Sequence, residues 1–180
     1  AATITANRTD AGGALALTAN TGDLTLGDGS AGTTAMLTAT NGAIGLTGAL
    51  TAGTGATIQA ANAATLGSVT TTAGDISVDA ASIGIGSATA GGALSLTANT
   101  GALTLDTGIA GTMAALAAAR DLRVQTSLTS GGASTLTTGA NARLTRVEAT
   151  GGAVTVTANS GAVTGLTGTT GATLIARGAG

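Results

Sequence analysis

The side chains able to do chemistry in this chain are few and scattered. Asp75 and Asp79 are the closest acids within one stretch of the pattern, and paired carboxylates can carry out glycoside hydrolysis. An enzyme acting on sugars from a β-helix would add aromatic platforms, basic residues and long loops, which the surrounding sequence lacks, so these acids read as solvated surface. LGDGSAG from Leu26 matches part of a calcium-binding glycine-aspartate pattern. The equivalent segments further on read LDTGIAG and LTGTTGA, which lose the Asp spacing, so a simple turn is expected there. Asn7-Arg8-Thr9 fits the N-glycosylation pattern, one short enough to arise by chance. The remaining cluster is basic: Arg120, Arg123, Arg143 and Arg146, with Asp121 and Glu148 close by.

Missing residue types prune the chemistry further. With no His and no Cys, the usual nucleophile-base pairs, the common zinc sites and disulfides cannot be assembled from these residues. No catalytic, cofactor or metal site is expected, and the chain is read as a non-enzyme without cofactors. Net charge is -2, which provides no overall basic field for nucleic acid. The distribution is uneven, with one Arg and six Asp over residues 1–110 (net -5) and five Arg and two acids over 111–180 (net +3). The longest apolar run, Met113 to Ala119, has seven residues, whereas a membrane-crossing helix needs about 20. An outer-membrane barrel would carry aromatic girdles, and the chain has no aromatic residue, so no membrane insertion is expected. The start, AATITANRTD, lacks the basic and apolar regions of a secretory signal and reads as the middle of something longer.

These residues are positioned by a repeat. Glycines open successive units at 12, 32, 53, 74, 91, 111, 131, 151 and 171, with spacings of 20, 21, 21, 17, 20, 20, 20 and 20. Three units are nearly the same text: GGALALTANTGDLTLGDGSA from Gly12, GGALSLTANTGALTLDTGIA from Gly91 and GGAVTVTANSGAVTGLTGTT from Gly151. Within each, Leu15 and Leu17, then Leu24 and Leu26, alternate with small or polar residues, a period of two that means strands. A further apolar residue follows in most units, namely Leu50, Val69, Ile109, Leu128, Val147 and Leu166, and predicts a shorter, less regular third side facing inward. The turn between the two main strands is spelled Asn20-Thr-Gly22, Asn41-Gly42, Asn99-Thr-Gly101 and Asn159-Ser-Gly161, residues that tolerate a left-handed backbone and whose stacked Asn side chains can form a ladder.

The predicted fold is therefore all-β: a parallel β-solenoid of about 20 residues per coil, two main strands plus a short third side. One solenoid segment is expected over 1–180, with partial coils at 1–11 and 171–180, full coils over 12–170, a superrepeat of 12–90 on 91–170, and no caps. Arg123 and Arg143, 20 residues apart, then stack on adjacent coils. That patch is either solvated and partly compensated or a contact for an anionic glycan or for an acidic face of another rod.

GGALxLTANTGxLTL recurring about every 20 residues resembles the central repeats of filamentous haemagglutinin-like adhesins exported by two-partner secretion, and the β-helices of autotransporter passengers. The resemblance covers nearly the whole chain and carries over no functional residue. It implies a right-handed parallel β-helix on a bacterial surface or secreted from it, serving as a rigid stalk or adhesin whose partners are itself or glycans and proteins of host or neighbouring cells. Small, nearly neutral outward slots point to an alternative, an extracellular filament or sheath built by end-to-end and lateral packing. Ice binding is a third expectation, weakened because outward slots such as Ala14-Ala16-Thr18 and Ala153-Thr155-Thr157 differ between coils.

Overall fold

Alternating aliphatic and small polar residues specify strands with one buried face, and the computed structural model, which describes residues 2–167 and 174–178, stacks them into two parallel sheets. Short strands such as Leu15–Ala19, Leu94–Ala98, Ala114–Ala118 and Ser134–Thr138 form a nine-stranded sheet. Long strands such as Leu24–Ala31, Leu103–Ala110 and Leu122–Ser130 form a ten-stranded one. The chain alternates between the sheets, so hydrogen-bonded neighbours in each are consecutive turns of a parallel β-solenoid. Register advances by one coil at a time: Leu94 faces Ala114, Leu96 faces Leu116 and Ala98 faces Ala118.

The third side takes the form of the second half of each long strand, reached through a bend. Register shifts between Leu26 and Gly29, Leu46 and Ala49, and Leu105 and Thr107 mark bulges at that bend. Corners also absorb differences in coil length. In the coil opened by Gly74, the shortest of the series, only Ala81 separates the strands Asp75–Ala80 and Ser82–Ala90. The strands keep their register and the corners take up the slack. The last expected coil opening, Gly171, lies outside the described residues.

Inward positions of both sheets meet in one core of stacked Leu, Ile, Val and Ala columns. Four polar side chains join it: Thr71, Ser130, Ser134 and Thr138. Each is satisfied at once, Ser130 Oγ donating to Gly132 O at 2.8 Å and lying 2.8 Å from Ser134 Oγ, Thr71 Oγ1 donating to Gly74 O at 2.5 Å, and Thr138 Oγ1 donating to Arg120 O.

Inside each coil the first inward residue of the short strand and the inward residue of the third side share one volume. A Cβ added to the buried Gly108 would sit 3.4 Å from Leu94 Cδ2 and 2.7 Å from Leu128 Cδ1 of the next coil. Gly29 stands in the same relation to Leu15, at 3.6 Å, and to Leu50, at 2.7 Å. By register the pairs along the rod are Leu15/Gly29, Ala35/Leu50, Ala56/Val69, Ile76/Ala88, Leu94/Gly108, Ala114/Leu128 and Ser134/Val147. Where one member is large the other is small, as close packing at constant cross-section demands. This overturns the expectation for Ile109. Gly108 takes the inward slot beside Leu94, and Ile109 is 45 % exposed on the outer face.

The corner glycines also act differently from the expectation. Among the described residues only Gly165 has a positive φ, 72°, so the Asn-Gly corners do not use the left-handed backbone. Glycine is required there by close approach between coils. At the Asn corner a Cβ on Gly42 would collide with Gly22 O, and at the coil openings one on Gly32, Gly53, Gly111 or Gly131 would collide with the carbonyl oxygen of the coil-opening glycine one coil earlier. Among the described residues the Asn ladder forms over the early coils only, and through main-chain acceptors: Asn41 Nδ2 donates to Asn20 O at 2.7 Å and Asn62 Nδ2 to Asn41 O at 3.3 Å, whereas Asn99 Nδ2 donates to Asp79 Oδ1.

Candidate functional site

The structure divides the four-arginine cluster. Leu122 and Val124 point into the core, which sends Arg123 outward, and Ala142 and Leu144 do the same for Arg143. The strands pair in parallel with Arg123 opposite Arg143, placing the two side chains at the strand separation of about 4.8 Å. Arg143 is in turn opposite Thr164. Arg146 lies beyond the bend and donates from Nη2 to Glu148 Oε2 at 2.6 Å. Arg120 sits at the Asn corner, where its N–H donates to Gly101 O and its carbonyl accepts from Ala140 N–H, both at 3.1 Å, as well as from the Thr138 hydroxyl. Only Arg123 and Arg143 are brought together.

They line an open groove of about 650 Å³ with Asp121, Leu122, Asn141, Thr164 and Gly165. Gly165, whose φ is 72°, contributes backbone to that lining. Asp121 Oδ1 accepts from Asn141 N and from Asn141 Nδ2, both at 3.0 Å. The Asn141 main-chain N–H, then its side chain, hold the Asp121 carboxyl below the usual carboxylate range. Asn141 Oδ1 accepts from Ala162 N–H at 3.2 Å, so Asp121 and Asn141 continue a side-chain ladder along the axis.

That ladder is one case of a role the sequence reading missed. Asp23 Oδ1 accepts from Ala43 N–H at 2.8 Å, Asp28 Oδ1 from Ala49 N–H at 2.9 Å, and Asp75 Oδ1 from Ala93 N–H at 2.7 Å. These acids bind the next coil at its corner. The signal was present in the text, since Asp23, Asp75, Asp121 and Asn141 each directly precede the first inward residue of a strand. Asp79 takes another partner, its Oδ1 accepting from Asn99 Nδ2 at 2.6 Å. Asp75 and Asp79 lie on one strand four residues apart, roughly 13 Å at 3.3 Å per residue. Two carboxylates flanking one glycosidic bond are at most about 9.5 Å apart, so this pair has the wrong geometry for that chemistry. At the far end of the rod, Arg8 Nε donates to Asp10 Oδ2 at 2.7 Å, which raises the Arg8 pKa further.

Outside the groove the surface is weakly charged. The third side presents Thr51, Thr70 and Thr89 in one register column, interrupted by Ile109 and resumed by Thr129. Among the described residues no helix is long and apolar enough to cross a membrane, and no three acids converge as metal ligands. The chain matches no protein-family model, no curated protein and no solved structure.

Proposed function

We propose that this chain is a rigid, non-catalytic stalk or spacer, a repeat segment of a bacterial surface-exposed or secreted adhesin-like protein. The observation that carries this reading is the uninterrupted parallel strand order of both sheets, which makes every coil the template for the next. Nine stacked strands span eight intervals of about 4.8 Å, a rod of roughly 38 Å. A fold of this kind resists bending because every interval carries main-chain hydrogen bonds from both sheets and a share of the continuous core. The repeat text supports the adhesin assignment through its resemblance to haemagglutinin-like repeats. Small-angle scattering of the monomer tests the rod, with a compact, isometric particle as the contrary result. Antibodies against the segment test the location: labelling of intact source cells is expected, and labelling only after permeabilisation overturns it.

A second reading, lateral assembly into a filament or sheath, is favoured by the middle of the third side, where Ser30, Thr51, Thr70, Thr89 and Thr129, interrupted by Ile109, form an uncharged column between Asp10 and Glu148. Electron microscopy separates the two, since ordered fibres of the purified segment support assembly and persistent monomers reject it. Ice binding is less well served by the same face, which offers one Thr per coil rather than a pair and breaks at Ile109.

A further inference from the structure

We infer that the groove over Arg123 and Arg143 binds a sugar acid, a glycan unit carrying one carboxylate or sulfate group that both guanidinium groups hold together. Both side chains are fixed outward by the buried residues on either side, and they stand directly opposite on adjacent strands. Like charges so placed repel. Among the described residues no carboxylate pairs with either one, because Glu148 is taken by Arg146 and Asp121 accepts both donors of Asn141. An oxyanion between the guanidinium forks relieves that repulsion and receives two charge-assisted, planar sets of donors.

The remaining lining selects what carries the anion. At about 650 Å³ the groove is far larger than a bare ion and falls within the range of small-molecule sites. The Thr164 hydroxyl donates or accepts, and the Asp121 carboxylate, which stays ionised, accepts from hydroxyl groups. Asp121 also repels a second acid group at the rim. The combination fits a polyol with a single charge and disfavours a densely sulfated or phosphorylated polymer. This inference goes beyond the stalk reading and is independent of it, since a rod that binds no sugar is still a rod.

Calorimetric titration of the whole segment with galacturonate, glucuronate and sialyllactose, each carrying a single carboxylate, tests it, with galactose, lactose and sodium sulfate at matched ionic strength as controls. Saturable binding of at least one acidic probe is expected, weakened tenfold or more in Arg123→Gln/Arg143→Gln. Arg120→Gln/Arg146→Gln removes the same charge outside the groove and should stay within twofold of the parent. Circular dichroism reports whether each variant keeps its fold, and outward positions should keep it. Equal losses in the two double variants, sulfate binding as tightly as the sugars, or no acidic probe binding at all would each overturn the site.

Discussion

The pairing of Leu94 with Gly108 leads to a quantitative expectation. Leu94 is fully buried, so Leu94→Ala removes three carbons from a packed site and should cost about 2–5 kcal/mol. Gly108→Leu inserts a side chain where a Cβ alone would lie 2.7 Å from Leu128 Cδ1 and 2.8 Å from Leu105 Cδ2, and overpacking of this kind costs about 1–3 kcal/mol or more. If the positions were independent, the double variant would lose about 3–8 kcal/mol, the sum of the two. In the double variant, however, the coil acquires the Ala/Leu arrangement that Ala35/Leu50 and Ala114/Leu128 already use. The new Leu fills the space vacated by Leu94. Leu128 must still rotate away from the site, so recovery is partial, and a coupling of about 1–3 kcal/mol is expected. Urea unfolding followed by circular dichroism measures all four proteins, with the midpoint shifting while the slope stays constant. Additivity to within about 0.5 kcal/mol would show that the two positions do not share a volume, and would refute the reasoning.

Three further outcomes follow from the same geometry. Leu103→Asp places an unpaired carboxylate at a fully buried position and should cost several kcal/mol, roughly the penalty of an unsatisfied buried polar group or more, whereas the outward Thr104→Asp should be nearly neutral in the same urea assay; equal effects would contradict the inward and outward assignment. Gly131→Ala drives a Cβ into the Gly111 carbonyl and should destabilise by more than about 1 kcal/mol, while Gly84→Ala meets nothing within 4 Å and should be neutral or stabilise by about 0.4–1 kcal/mol through the unfolded chain. Asp121 should titrate below the ordinary aspartate value when its carboxyl carbon is followed by NMR; its folded-state pKa is depressed, so its contribution to stability is present above the ordinary carboxylate value and is lost as pH falls through the folded value, and Asn141→Ala should move the titration upward.

Much of this fold was written in the period-two pattern and the glycine spacing. Leu15, Leu24, Leu26, Leu94, Leu96, Leu103 and Leu105 alternate with small residues, and all are buried. Two features escaped that reading for physical reasons. Alternation identifies a strand but not which phase survives a bulge, so Ile109 looked like the core residue of its side when the bend after Leu105 had handed that slot to Gly108. A glycine at a corner signals either an unusual φ or a close approach, and only the stacked carbonyls of Gly12, Gly91 and Gly111 show that approach is the reason here. The buried Ser134 and Thr138 were legible by aligning coils, since they occupy the slots of Leu94 and Ala98. Of the basic cluster, the 20-residue spacing of Arg123 and Arg143 predicted their juxtaposition, while the loss of Arg146 to the neighbouring side depended on the same bend that misplaced Ile109.

The volume pairing bears on why the rod can be both thin and regular. A core with no aromatic side chain has little apolar area to spare, and a solenoid cannot relax one coil without disturbing the hydrogen bonds to the coils on either side. If inward residues varied freely, the cross-section would swell at a coil with Leu in both slots and collapse at one with Ala and Gly, and strands could not stay in register across such steps. Confining the variation to Leu15/Gly29, Ala35/Leu50 or Ile76/Ala88 lets the sequence drift between coils while the girth stays nearly constant. Outward positions carry no such constraint. The rod can therefore place two arginines side by side on one short stretch, Arg123 and Arg143, without altering the scaffold beneath them.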